Sequence, residues 1–223
     1  MTRLNKQEFL KWAYDDLLTN TTRGVLAEYI VAKALGIRDT TRLEWDMYDL
    51  DIDGVGVEVK SAAYVQTWEQ TKLSNISFGI RPAKGWNART NVYATDTKRS
   101  ADVYVFCLLE GEARERIDPL EVAQWTFYVL PTIELDRQVP EQKTIGLGRL
   151  KALLPRECTY DELAAAIHDA AKINRGSRPF RSRLRTGVWS PYRCRVQAIQ
   201  SSVNSDRCAS LNAGMAASMN PPP

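Results

Sequence analysis

The dipeptide Asp53-Gly54 places the tightest limit on how this chain folds, because Asp-Gly between two apolar runs is typical of a two-residue β-hairpin turn. The surrounding segment, residues 45–64, reads WDMYDLDIDGVGVEVKSAAY. A turn of this length pairs Ile52 with Val55 and sets the register of both strands. We therefore predict an antiparallel hairpin whose facing side chains can be assigned from the sequence.

The predicted register gives the hairpin one charged face and one apolar face, because successive side chains of a strand point to opposite sides. Asp49 lies opposite Glu58, and Asp46 and Asp53 fall outside the charged face. The charged face carries Asp49, Asp51, Glu58 and Lys60. The other face carries a set suited to a core: Tyr48, Leu50, Ile52, Val55, Val57 and Val59.

The charged face has the composition of a metal site. Like charges directly opposite each other in a strand pair are destabilising, and a cation between Asp49 and Glu58 would relieve this. Oxygen ligands suit Mg²⁺ or Mn²⁺, and Gly56 leaves space beside Asp51. Lys60 adds a positive charge that can orient a water or stabilise developing negative charge. This set of groups is suited to metal-assisted hydrolysis of a phosphodiester.

A simpler interpretation of the same residues is a solvated hairpin. A Glu-x-Lys triplet occurs in many strands by chance, and an exposed ion pair between Glu58 and Lys60 needs no function. The residue pattern alone leaves both interpretations open.

Length and composition indicate an ordinary soluble globular protein. The 223 residues are enough for one sizeable core, with 44% hydrophobic and 26% charged residues. No run is long and apolar enough to span a membrane, and the start, MTRLNKQEFLKWAYDD, lacks a signal core, so we expect a cytoplasmic protein. The single histidine, His168, excludes a His-rich metal site. The cysteines form no CxxC pair and are expected to be reduced: Cys107, Cys158, Cys194 and Cys208.

The order of predicted elements favours an α/β or α+β domain with one mixed sheet over residues 1–174. Helices are predicted at 5–19, 24–36, 143–154 and 159–173, with caps at Thr21-Thr22 and Thr159 and a left-handed Gly36. Strands are predicted at 76–80, 101–109 and 124–132, while residues 61–70 fit a short helix or a loop.

Residues 175–223 differ from the rest of the chain. They contain eight Arg, no Lys and one acid, Asp206, and they lack a sustained apolar period. We expect this tail to be disordered or non-native, although a basic tail that binds nucleic acid is the alternative.

The segment YDLDIDGVGVEVKSAA, residues 48–63, resembles the core motif of the PD-(D/E)xK nucleases, the restriction-endonuclease-like superfamily. That motif has an Asp on one strand, a short turn, and then Glu-x-Lys on the next strand. The resemblance implies a restriction-endonuclease-like fold, with a mixed central β-sheet flanked by helices, and Mg²⁺-dependent (or Mn²⁺-dependent) cleavage of DNA. Tyr48 stands where the motif often has proline.

The resemblance also assigns roles to individual residues. Asp49, Glu58 and Lys60 match the catalytic motif, with Asp49 and Glu58 as metal ligands. Glu28 matches the acid that members carry on the preceding helix, and its apolar surroundings there support this role over a surface acid. Gln66 matches a glutamine that several members place after the Glu-x-Lys strand. Gln70 is the competing candidate, and a surface glutamine without a function is the alternative.

The segment RPAKGWNART, residues 81–90, is predicted to be a loop that contacts DNA. It combines bases with an aromatic ring, a mixture suited to phosphates plus a base or sugar. The predicted contacts are Arg81, Lys84, Trp86 and Arg89, with two more bases in KRS at 98–100. Charged loops are also often simply solvated.

Three functional hypotheses follow. The first is a metal-dependent deoxyribonuclease in restriction, phage defence, or recombination and repair. The second is a catalytically inactive nucleic-acid-binding module of the same fold, and the third is a small-molecule enzyme or interaction domain with an incidental acidic hairpin. Many relatives cut both strands as homodimers, but no residue pattern here indicates an interface.

Overall fold

The computed structural model describes residues 3–38, 42, 46–87 and 90–176. The helices are α1 (Lys6–Tyr14), α2 (Asn20–Ala34), α3 (Thr132–Gln138), α4 (Leu147–Ala152) and α5 (Tyr160–Gly176). The strands are β1 (Leu50–Ile52), β2 (Val55–Ala63), β3 (Ser77–Gly79), β4 (Ala83–Asn87), β5 (Val92–Lys98), β6 (Val103–Leu109), β7 (Trp125–Pro131), β8 (Thr144–Gly146) and β9 (Arg156–Cys158).

A five-stranded mixed sheet forms the centre of the fold, in the order β1-β2-β6-β7-β9. Strands β2 and β6 are parallel, and the other neighbours are antiparallel. All seven residues of β6 are buried, as expected for a central strand that is covered on both faces. The predicted mixed α/β architecture is confirmed at this level.

Each face of the sheet has its own apolar core. One core lies under α2 and α5 and includes Val57, Val59, Val105, Phe127 and Ile167. The other core lies against β3, β8, α3 and α4 and includes Phe78, Tyr104, Phe106, Leu135 and Leu150. Among the described residues, no helix combines the length and apolarity needed to cross a bilayer.

The hairpin adopts the predicted register. Ile52 pairs with Val55 and Leu50 with Val57. The turn residues have φ of +51° at Asp53 and +75° at Gly54, values that an Asp-Gly turn tolerates well.

The assignment of Tyr48 to the apolar face was wrong. Strand β1 begins at Leu50, so the alternation of side chains does not extend back to Tyr48. Its ring lies over Gly56, where an added Cβ atom would be 2.6 Å from Tyr48 Cδ1. Its hydroxyl donates to Asp51 Oδ2 at 2.8 Å. Tyr48 therefore fills the space that was expected to remain open beside Asp51.

The helix boundaries also differ from the prediction. α1 ends at Tyr14, and α2 is capped by the Thr19 hydroxyl, which accepts from the Thr22 N–H at 3.1 Å, rather than by Thr21-Thr22. The predicted left-handed residue Gly36 is confirmed, with φ of +70°.

The predicted domain boundary at residue 174 falls inside α5, which continues to Gly176. Asn174 is buried, donates to Asp102 Oδ1 at 3.1 Å, and accepts from the N–H of Ile133 at 3.0 Å. This residue is therefore part of the core. Residues 177–223, which contain most of the predicted tail, lie outside the described residues.

The segment predicted as a DNA-contacting loop is instead a β-hairpin, β4 and β5, which forms a two-stranded sheet of its own. Its strands carry few apolar residues, and for this reason the sequence lacks a clear strand signal there. Similarly, β3 and β8 pair only with each other in the strand order, and residues 61–63 extend β2 rather than starting a helix. Both described cysteines, Cys107 and Cys158, are free and buried.

Candidate metal and catalytic site

Glu58 and Lys60 lie on the same face of β2, as the alternation of side chains predicts. The Lys60 Nζ lies 2.5 Å from Glu58 Oε1. Both side chains are partly exposed, at 20% for Glu58 and 29% for Lys60. This partial exposure distinguishes the pair from a fully solvated surface ion pair, and it leaves the charged ends accessible to a ligand.

Asp49 reaches the same strand from the segment before β1. Its backbone N–H donates to the carbonyl of Val57 at 3.1 Å. Val57 pairs with Leu50, so this bond is one residue out of the hairpin register, and the predicted placement of Asp49 opposite Glu58 is not among the paired residues. Its Oδ2 accepts from the backbone N–H of Val59 at 2.7 Å. The carboxylate is therefore held at the residue that separates Glu58 from Lys60.

The carboxylates repel each other at this point. Burial, followed by the charge of Glu58 and then that of Glu28, raises the pKa of Asp49 from 3.8 to about 6. The charge of Lys60 and the hydrogen bond from Val59 oppose this rise only in part. The charged form of Asp49 is therefore disfavoured, because Lys60 and the hydrogen bond from Val59 do not offset burial and the neighbouring carboxylates.

Lys60 remains positively charged in these surroundings. Burial acts to lower the pKa of Lys60, but the charges of Glu58 and Asp49 outweigh it and leave the pKa above its ordinary value. Lys60 can therefore stabilise negative charge, but it cannot serve as a neutral base near pH 7.

Glu28 extends into the site from α2 and has a cationic partner. Arg42 Nε lies 2.5 Å from Glu28 Oε2, and Arg42 Nη2 lies 2.9 Å from Oε1, so the pair is bidentate. The Glu28 side chain is only 12% exposed. Glu28 is therefore a little-exposed acid with a basic partner from outside α2, and its catalytic role stays a prediction.

A cavity of about 370 Å³ opens beside these groups. Its wall includes four carboxylates, Glu28, Asp46, Asp49 and Asp51, together with apolar side chains such as Val25 and Ile37. Glu58 and Lys60 lie next to Asp49 but do not line the cavity. The site is thus accessible from one side, between α2 and the segment that precedes β1.

The charges around this cavity do not balance. The wall carries four carboxylates and three basic side chains, Lys33, Arg38 and Arg42, which leaves a sum of −1 when all are ionised. The ion pair of Glu58 and Lys60 adds no net charge. Within residues 3–38, 42, 46–87 and 90–176, no three His, Cys, Asp or Glu side chains are grouped closely enough to hold a metal ion. Asp49 and Glu58 are instead a pair of neighbouring carboxylates, and Glu28 forms an ion pair with Arg42.

Gln66 is buried rather than at the surface, so the alternative of a surface glutamine is wrong. Its Nε2 donates to the Ala63 carbonyl at 2.8 Å, and its Oε1 accepts from Arg23 Nη1 at 3.3 Å. Gln70 accepts from the Gln66 backbone N–H at 2.6 Å and braces this segment. These contacts give both glutamines structural partners, and a catalytic role for Gln66 stays a prediction.

Two further residues belong to the site but were not singled out in the sequence. Tyr104 on β6 pairs in register with Glu58, and burial together with the charge of Glu58 raises the pKa of its hydroxyl. Arg42 lies outside any predicted element, and only the folded chain shows that it binds Glu28. In the sequence, Tyr104 is one of two aromatic residues in the predicted strand ADVYVFCLL, and this was the only sign that it could belong to the site.

Of the predicted DNA contacts, Arg81 and Lys84 are exposed, while Trp86 is half-buried against Tyr93. Arg89 lies outside the described residues. In the segment KRS, Arg99 is buried in contacts within the protein, so its predicted role as a surface base was wrong. Trp68, which follows β2, is 52% exposed.

Comparison with known proteins identifies the family. No curated protein and no solved structure matches the chain significantly. The family model described as bacteriophage T4 endonuclease IV matches residues 10–145, which is more than half of the 223 residues and includes Glu28, Asp49, Glu58 and Lys60. The chain therefore belongs to the bacteriophage T4 endonuclease IV family.

Proposed function

We propose that this protein is an endonuclease that hydrolyses phosphodiester bonds of DNA with Mg²⁺ or Mn²⁺ bound by Asp49 and Glu58. The observation that carries the proposal is the position of the Asp49 carboxylate, held by the Val59 N–H at 2.7 Å, beside the ion pair of Glu58 and Lys60, within the part of the chain matched by the endonuclease family.

The donor chemistry fits a hard divalent cation. Asp49 and Glu58 offer carboxylate oxygens, and the adjoining cavity has room for water and a phosphate. A bound divalent ion would supply Lewis acidity and lower the pKa of a coordinated water. A bound cation would also oppose the two main effects that raise the pKa of Asp49, which are burial and the charge of Glu58.

The protein's own groups would then act on the phosphate. The Lys60 ammonium, held at 2.5 Å from Glu58, is positioned to stabilise the negative charge that develops on a phosphoryl oxygen. The backbone N–H of Val59 fixes the orientation of Asp49, so the carboxylate needs little reorganisation. Glu28, held by Arg42 on the wall of the same cavity, can orient a water there.

The arrangement also supports a restriction-endonuclease-like fold for this domain. The Asp, the turn and the Glu-x-Lys strand occupy an antiparallel hairpin next to a parallel strand, β6, in a mixed sheet. This matches the implied PD-(D/E)xK arrangement and favours a role in restriction, phage defence, or recombination and repair.

A second candidate is a catalytically inactive nucleic-acid-binding module. The observation that favours it is that Glu58 and Glu28 already have cationic partners, Lys60 and Arg42. In such a module these ion pairs would be permanent, and no metal would bind.

Cleavage of supercoiled plasmid DNA with Mg²⁺ separates these candidates. We expect the parent to nick the plasmid, and we expect Lys60→Ala and Asp49→Asn to lose this activity. Lys72→Ala is the matched control, because Lys72 is exposed and lies outside the site. Equal cleavage by the parent and both site variants, or no cleavage with any divalent ion, would refute the endonuclease assignment.

A further inference from the structure

The hairpin formed by β4 and β5, residues 83–98, is exposed to an unusual degree. We call it the ribbon. Every residue of β5 except Ala94 is exposed, with Val92 at 59% and Tyr93 at 63%. An isolated two-stranded sheet is at best marginally stable in water, so the ribbon depends on its attachment to the domain.

A single buried arginine attaches both ends of the ribbon. Arg99 directly follows β5, and its Nε donates to the carbonyl of Ile80, just before β4, at 2.8 Å. Its Nη1 binds Asp136 Oδ1 at 2.8 Å, and its Nη2 binds the Val139 carbonyl at 2.9 Å. The guanidinium is 1% exposed, so it holds the base of the ribbon firmly while the strands remain in solvent.

The ribbon begins next to the candidate site. A Cβ atom at Gly85 would lie 3.0 Å from Met47 Cγ and 2.9 Å from Ser100 Oγ. Met47 is two residues before Asp49, so β4 packs directly on the segment that carries the metal-ligating carboxylate. Only glycine permits this close approach, and the ladder has an irregularity there, between Lys84 and Trp86.

The ribbon presents an aromatic pair with a base close by in the chain. Trp86 pairs with Tyr93, and their ring centroids are 4.6 Å apart with planes at 55°. Lys84 is exposed and lies two residues before Trp86, on the other side of the irregularity in the ladder, where it pairs with Thr97.

The charge of the ribbon complements a polyanion. Among the described residues 83–87 and 90–98 of the ribbon, Lys84 and Lys98 are basic and Asp96 is acidic, which gives a sum of +1, and Arg81 just before β4 adds one more positive charge. The site itself is negative, so a DNA strand that approaches Asp49 and Glu58 needs positive charge close by. The ribbon is a source of that charge directly beside the site.

We propose that the ribbon binds the DNA strand next to the scissile phosphate, with Trp86 and Tyr93 packing on a base or sugar and Lys84 contacting a phosphate. The inference rests on the proposed endonuclease function and adds the surface that holds its substrate. Base–aromatic contact and a nearby lysine together give affinity with little dependence on sequence. The rigid attachment through Arg99 fixes the distance from this contact to Asp49.

Oligonucleotide binding tests the ribbon without cleavage. Fluorescence anisotropy with a labelled oligonucleotide, single-stranded and as its duplex, is measured in EDTA for the parent and for Tyr93→Ala, Trp86→Ala and Lys84→Ala. We expect affinity to fall about ten-fold for each aromatic variant. Lys84→Ala should reduce the slope of log affinity against log salt by about one.

The controls make the outcome specific to the ribbon. Trp68→Ala removes a half-exposed tryptophan outside the ribbon and should bind as the parent does. Tyr93→Ala is the decisive variant, because a side chain that is 63% exposed contributes little to folding. Parent affinity in Tyr93→Ala and Lys84→Ala, or no binding by the parent to either oligonucleotide, would overturn the proposal.

Failure of the ribbon proposal can be distinguished from failure of the proposed endonuclease function. If Lys60→Ala abolishes plasmid cleavage but ribbon variants bind normally, the ribbon proposal is wrong and the function stands. If the parent never cleaves but binds DNA through Tyr93 and Lys84, the function is wrong and the ribbon proposal stands.

Discussion

Asp49 Oδ2 accepts a 2.7 Å hydrogen bond from the backbone N–H of Val59, the residue between Glu58 and Lys60. One contact therefore ties the carboxylate of the first strand segment to the centre of the Glu-x-Lys triplet. The bond forms across a hairpin whose register is set by the Asp53-Gly54 turn. Asp49 itself precedes β1 and lies outside the paired residues, so the hydrogen bond from Val59 fixes the position of its carboxylate.

The raised pKa of Asp49 predicts how stability depends on pH. Between the ordinary pKa of 3.8 and the folded value of about 6, the folded protein holds a proton that the unfolded chain has lost. The free energy of unfolding contributed by Asp49 therefore falls as pH rises through this range. Asp49→Asn should stabilise the metal-free protein at pH 8, by about 1–3 kcal/mol, and should have little effect at pH 4.

Urea denaturation in EDTA at both pH values measures this effect. Asp96→Asn is the matched control, because Asp96 is exposed on the ribbon. Destabilisation by Asp49→Asn at pH 8 would mean that its charge is already compensated.

Lys60 is predicted to act in catalysis rather than in folding. Lys60→Ala should lower the plasmid-nicking rate about 10²- to 10³-fold, because the ammonium stabilises charge that develops at the phosphate. The change in the free energy of unfolding should stay within about 1 kcal/mol, as for a partly exposed ion pair. Nicking rates and urea denaturation of the same preparation give both values. A rate loss that merely follows a loss of folded protein would contradict the prediction.

Close packing of Tyr48 on Gly56 predicts a steric effect on the site. In Gly56→Ala the new Cβ atom would lie 2.6 Å from Tyr48 Cδ1, so the ring and the segment before β1 must shift. We expect a loss of about 1–3 kcal/mol in the free energy of unfolding and reduced cleavage. The double variant Gly56→Ala, Tyr48→Ala should recover part of the stability. Thermal unfolding of both variants checks this, and an unchanged Gly56→Ala protein would show that the ring moves freely.

The role of Glu28 can be read from the pH dependence of metal binding. Glu28 raises the pKa of Asp49 by charge, so Glu28→Gln should move the acid midpoint of Mn²⁺ binding to lower pH. If Glu28 is instead a metal ligand, affinity should fall at every pH between 5 and 8. A midpoint and affinity equal to those of the parent would exclude both roles.

Local turn chemistry made the hairpin predictable. Asp53-Gly54 specifies a two-residue turn, and alternation then places Glu58 and Lys60 on one face. The face of Tyr48 was predicted wrongly because β1 begins two residues after it, so the alternation of side chains does not apply there. The prediction therefore holds only as far as the ladder of hydrogen bonds extends.

Contacts between distant segments could not be predicted. Arg42 meets Glu28, and Arg23 meets Gln66, through chain packing that leaves no periodic signal in the sequence. The ribbon was taken for a loop because its strands lack a buried apolar face. Arg99 holds the base of the ribbon mostly through backbone carbonyls, and such partners leave no signal in the residue pattern.

The most direct test of the metal site is isothermal titration of the metal-free protein with Mn²⁺ at pH 8. We expect saturable binding by the parent and by the control Asp96→Asn, and loss of that binding in Asp49→Asn and in Glu58→Gln. Binding that survives both site substitutions, or a parent that binds no Mn²⁺ while remaining folded, would contradict the proposed role of Asp49 and Glu58.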